Sequence, residues 1–233
     1  MKTFQESAEI KLKFSLPSSG GKSESIYFDG DKYESVERWA TNVVETEEEC
    51  MNEKYDVSTK DRYYFTGRFC KFLGSKDKDY GYKIFINDYP KNIPPTKEEV
   101  RLVFSIQKLL SDNGFSPEPY EIIKCYDGSR EYFVIKMETI KGKSAWSDHR
   151  YHKPWGNPVL KSTEGLKQWV KTLEEFCKKN KIGSDRSDLD IYGDSNCMRS
   201  EKDNKIYLVD VDVRFEWVRD RMHLTQMHQN HLL

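Results

Sequence analysis

The chain predicts an α+β fold in two halves, and three observations carry that expectation. Aromatic, alternating segments separated by polar turns read as antiparallel hairpins. Segments with apolar residues at a 3.6-residue period read as amphipathic helices. Lys143 to Pro158, rich in Trp, His, Pro and Gly, follows neither period and reads as the linker or ordered loop between the halves.

Length and composition set the outer limits. The 233 residues are 33% charged, 36% apolar and 13% aromatic, enough for one large or two small domains with a real core. With 38 basic against 39 acidic residues the formal net charge is −1, which argues against a general polyanion binder and makes nucleic acid an unlikely partner. No apolar run approaches membrane-spanning length, and Met1 to Glu6 lacks the apolar core of a signal peptide. The expectation is a soluble, cytoplasmic protein with no membrane partner. Five scattered cysteines form no C-x-x-C pair and read as reduced, mostly buried thiols.

In chain order, residues 1–58 read as an N-terminal extension: an arm with weak alternation at Ile10, Leu12, Phe14 and Leu16, a loop, and a helix carrying Val36, Trp39, Val43 and Val44. Gly21-Lys-Ser23 is no phosphate loop, because Leu16 stands where that motif needs glycine. Residues 59–140 read as a sheet and a helix. Strand Tyr63 to Leu73, the turn Gly74 to Gly81 and strand Tyr82 to Ile86 form a hairpin with Lys83 inside an otherwise apolar strand. Such a lysine either snorkels to the surface or points into a cleft toward an anion. Thr96-Lys-Glu-Glu99 is a capping box opening a helix with Val100, Val103, Ile106 and Leu110 on one face, ended by Asn113-Gly114. A second hairpin pairs Tyr120–Tyr126 with Glu131–Met137 through Asp127 to Arg130, and Glu138 leaves the sheet.

Residues 141–233 hold the clearest helix, with Leu166, Trp169, Val170, Leu173, Phe176 and Cys177 in one stripe. It delivers the chain to Asp188-Leu-Asp190-Ile-Tyr-Gly-Asp194-Ser-Asn196, and a short strand from Ile206 then ends in Asp210 and Asp212. This density of oxygen ligands suits Mg²⁺ and phosphate chemistry, because a hard cation takes oxygen ligands and bridges phosphate oxygens. The plainer reading is a polar turn between helix and strand. A last helix is expected around Phe215, Val218 and Met222.

This order of elements resembles the protein-kinase-like superfamily, including its small aminoglycoside-phosphotransferase-like members, over about residues 60–215. The resemblance implies a two-lobed protein-kinase-like fold with an antiparallel-sheet small lobe and a reduced, mainly helical large lobe. It implies that Lys83 holds the phosphates of ATP, with Glu98 or Glu99 as its helix partner, and that Met137 and Glu138 run into the segment receiving the adenine. Asn196 and Asp210 resemble the metal-holding Asn and Asp, fourteen residues apart. The acceptor-orienting aspartate is Asp190, Asp188 or Asp194, with the loop register open. The implied activity is Mg²⁺–ATP-dependent phosphoryl transfer to an acceptor left open, a protein among the candidates. The alternative is a kinase-like module without catalysis that binds another protein through the Trp146 to Trp155 stretch.

Overall fold

A computed structural model describes residues 10–15, 25–35, 60–66, 70–85, 94–149, 159–162, 165–182 and 196–211. Eight of its strands close into a barrel: β1 (Ile10–Ser15), β2 (Ser25–Phe28), β3 (Asp31–Ser35), β4 (Arg62–Thr66), β5 (Cys70–Ser75), β6 (Tyr80–Phe85), β7 (Pro119–Asp127) and β8 (Arg130–Glu138). Around the barrel they run β1-β2-β3-β4-β5-β6-β8-β7. Neighbours are antiparallel except at two seams, where β1 lies parallel to β7 and β3 parallel to β4. Two helices, α1 (Lys97–Asp112) and α2 (Leu166–Asn180), complete the described elements with β9 (Gly142–Ser144), β10 (Trp146–His149), β11 (Val159–Ser162), β12 (Cys197–Ser200) and β13 (Ile206–Leu208).

This architecture corrects the expected fold class. The described chain is mostly strand, built on a closed mixed barrel, and is not a two-lobed kinase-like fold with a helical large lobe. Residues expected to form an arm and the loop after it supply β1 to β3, which span the gap between β4 and β7 and so close the sheet. Their alternation is what closure needs, since one side of every strand must face a filled interior. Leu12, Ile26, Phe28 and Tyr33 pack there against Leu73, Ile84, Cys125 and Val134. The β2–β3 hairpin turns on Asp29-Gly30, both at positive φ (51° and 83°), the left-handed pair that a two-residue hairpin loop requires. The single strand expected from Tyr63 to Leu73 is two antiparallel strands, β4 and β5. After β8 the only helix among the described residues is α2, and the expected linker overlaps β9 and contains β10.

The outer face of β5, β6 and β8 carries a second core. Cys70, Phe85, Phe133, Ile135 and Met137 meet the apolar stripes of α1 and α2 and the small sheet β13-β12-β9. Helix α1 starts at the capping box, where Thr96 Oγ1 accepts from the Glu99 N–H at 3.3 Å and Glu99 Oε2 accepts from the Thr96 N–H at 2.6 Å. Leu110, Leu166 and Leu173 are fully buried, worth about 1.5–3 kcal/mol each. The helices expected around Val36–Val44 and Phe215–Met222 lie outside the described residues.

Candidate functional site

A cleft of about 330 Å³ opens between the outer face of the barrel and the small sheet. Strand β6 carries Lys83 to it because the side chains of a strand alternate, and Lys83 falls on the face opposite Ile84, which fills the barrel interior. Strand β13 ends two residues before Asp210, which reaches the same place from the other sheet. Lys83 Nζ donates to Asp210 Oδ1 at 2.7 Å and to the Val211 carbonyl at 3.2 Å. Both residues are buried, at 2% and 8% exposure. Snorkelling is therefore excluded for Lys83. The Cys70 thiol approaches the same carboxylate oxygen, with Sγ at 3.9 Å.

The rest of the cleft is mainly apolar. Tyr63 and Phe65, edge to face at 5.3 Å between ring centroids, line it from β4, Phe72 from β5, and Met198 from β12. Burial pushes the Tyr63 phenol above its ordinary pKa, so it enters the wall as a neutral ring. Residues 138–142 cross the cleft between β8 and β9. The Glu138 N–H donates to the Glu118 carbonyl at 2.8 Å, the Thr139 N–H to the Asp79 carbonyl at 2.9 Å, and the Lys141 carbonyl accepts from the Glu201 N–H at 2.9 Å. That segment is held on three sides.

Of the residues singled out in the sequence, Lys83, Met137, Glu138 and Asp210 line one cleft. Asn196 is buried just before β12 and is not among the lining residues, its carbonyl accepting from the N–H of cleft-lining Val209 at 2.8 Å. Glu99 is buried and its carboxylate caps α1. Asp188, Asp190, Asp194 and Asp212 lie outside the described residues. Sequence reasoning missed Tyr63, Phe72, Cys70 and Met198. Their alternation was visible, but which face met a second sheet depended on pairings across long sequence separations.

A magnesium nucleotide asks few ligands of the protein. Mg²⁺ keeps water and takes one or two carboxylates together with substrate phosphates rather than a full protein cage. Among the described residues no group of three His, Cys, Asp or Glu could hold a metal, whereas Asp210 offers a carboxylate oxygen 2.7 Å from Lys83 Nζ. A carboxylate has about four lone-pair sites, so Asp210 can serve a lysine and a cation together. No family model, characterised protein or solved structure matches this chain. Among the described residues no helix is long and apolar enough to cross a membrane.

Proposed function

We propose that the cleft binds Mg²⁺–ATP and that the protein is a phosphotransferase. The observation that carries this reading is the buried Lys83–Asp210 pair at the wall of a mainly apolar cleft. Taking both charges out of water costs several kcal/mol per ion, and two apolar side chains would fill the space more cheaply. A cation and an oxygen ligand held together in an open cleft suit a ligand that brings both phosphate and metal. Lys83 would hold phosphate oxygens, and Asp210 with Asn196 would hold the metal. Bound there, Mg²⁺ supplies neutralisation of the charge on the transferring phosphoryl group. The remaining contribution of the chain is positioning, which this reaction type chiefly needs. The acceptor-orienting residue is assigned to Asp190, Asp188 or Asp194 on the sequence alone, and the acceptor stays open, a protein among the candidates.

The test is thermal stability with and without ATP and Mg²⁺. Ligand at a hundred times its Kd adds about 2.7 kcal/mol. Lys83→Ala alone is a poor control, because it leaves the Asp210 carboxylate buried without its lysine. The double variant Lys83→Met, Asp210→Asn removes both charges and should stay folded while losing the nucleotide shift. An equal shift in that variant and in wild type refutes the site. A shift in wild type without any phosphoryl transfer supports the binding-module alternative.

A further inference from the structure

The cleft has a built aromatic wall beside its charged pair. Phe72 and Lys83 are direct cross-strand partners in the β5–β6 ladder, so their side chains leave the sheet on the same face, about 5 Å apart at Cβ. The Phe72 ring reaches diagonally across β6 and lies over Gly81: a Cβ placed on Gly81 would stand 2.4 Å from Phe72 Cζ and 3.0 Å from Cε1. The same Cβ would stand 2.5 Å from the Leu73 carbonyl oxygen, which is backbone and cannot move aside cheaply. Glycine at 81 thus leaves the space that the end of the Phe72 ring occupies. Met198, from the small sheet, lines the cleft from the other side with a polarizable thioether that packs well on rings.

We propose that Phe72, seated on Gly81, is a stacking wall that selects ligands carrying a flat aromatic ring next to their phosphates, and so is a specificity-determining residue of the cleft. This rests on the nucleotide reading above and deepens it. Lys83 binds charge and cannot tell a nucleoside triphosphate from bare triphosphate; the ring beside it can. Stacking of a base on an aromatic side chain is strong enough that removing the aromatic changes affinity by roughly five- to a hundredfold.

The experiment measures the affinities of Mg²⁺–ATP and of Mg²⁺–tripolyphosphate for the full chain by calorimetry. Wild type should bind ATP at least tenfold more tightly than tripolyphosphate. Phe72→Leu should lose about tenfold toward ATP with tripolyphosphate unchanged, and Phe72→Tyr should keep wild-type affinity for both. A merely structural role for Phe72 would lower both ligands together. Equal ATP affinity in wild type and Phe72→Leu, or parallel losses for both ligands, overturns the stacking wall while leaving the nucleotide site standing. No binding of either ligand to wild type overturns the nucleotide reading and this inference with it. Gly81→Ala is not used, because its clash with the Leu73 carbonyl would disturb the strand itself.

Discussion

The Val209 N–H donates to the Asn196 carbonyl at 2.8 Å, which ties the residue before Asp210 to the residue that leads into β12. The bond extends the β12–β13 ladder by one step beyond Cys197–Leu208, so the amide of Asn196 and the carboxylate of Asp210 start from neighbouring backbone positions.

That relationship makes magnesium dependence the first expected outcome. In wild type, ATP should raise the unfolding temperature more with Mg²⁺ than without. Asp210→Asn keeps an oxygen near Lys83 but neutralises less of a cation's charge. It should lower the apo stability, because Lys83 then sits buried beside a neutral group, and it should shrink the extra shift that Mg²⁺ provides. A full magnesium-dependent shift in Asp210→Asn would show that the carboxylate does not hold the metal.

Alkaline pH should destabilise the protein through a thiol far from the cleft. Cys125 is fully buried inside the barrel, its thiol donating to the Tyr132 carbonyl at 3.7 Å, and burial pushes its pKa up from 9.0 to about 12. A folded-state pKa raised above the unfolded one leaves stability intact below pH 9 and removes it as the pH climbs toward 12. Cys177, pushed up to about 11 by burial and by Glu174, acts in the same direction. At pH 10.5 the Cys125 contribution alone should be a loss of about 2 kcal/mol relative to pH 8. Urea unfolding of Cys125→Ala under reducing conditions should show a correspondingly shallower pH dependence. An unchanged dependence would mean that the thiol ionises in the folded state as readily as in the unfolded one.

How much of this was legible in the sequence follows from how local each signal is. The α1 capping box, the α2 stripe and the hairpin through Asp127-Gly128 are encoded within a few residues, and the structure contains each of them. The Lys83–Asp210 contact spans 127 residues, yet both ends carried a local sign: a lysine among apolar strand residues and an aspartate closing a short apolar strand. The barrel carried less. Each of its parallel seams rests on two residue pairs, Ile10–Lys11 with Cys125–Tyr126 and Glu34–Ser35 with Tyr63–Tyr64, and nothing in a five- to nine-residue strand announces a partner so remote. Asp29-Gly30 was a readable hairpin signal that the weak alternation around it obscured. The resemblance to kinase-like proteins rested on element order from residue 60 onward, and order is blind to strands that arrive earlier and close the sheet.

Gly142 should tolerate no side chain. A Cβ there would stand 2.0 Å from the Arg199 carbonyl oxygen, because β9 and β12 pair with Gly142 opposite Ser200. Gly142 also lines the cleft, so displacing β9 moves the segment that crosses it. Gly142→Ala should cost about 1–3 kcal/mol, the range for forced overpacking, and should weaken nucleotide binding as well. Stability and nucleotide shift both equal to wild type would mean that β9 does not pair with β12 in solution.

The barrel itself gives the sharpest test of the architecture, because it predicts that residues before 36 belong to the same cooperative unit as the cleft. Ile26 is fully buried on β2, and the seam from β3 to β4 leads to the strand that delivers Tyr63 and Phe65 to the cleft. Ile26→Ala removes three carbon atoms from the filled interior and should cost about 2–5 kcal/mol. The exposed Lys32→Ala on the neighbouring strand should stay within about 0.5 kcal/mol, since its surface ion pair with Glu34 is worth little. The loss in Ile26→Ala should appear as one shifted transition, seen equally by far-ultraviolet circular dichroism and by tryptophan fluorescence. An N-terminal extension lying outside the fold would behave differently: Ile26→Ala would then change stability no more than Lys32→Ala does, and the closed barrel would have to be given up in favour of an open sheet.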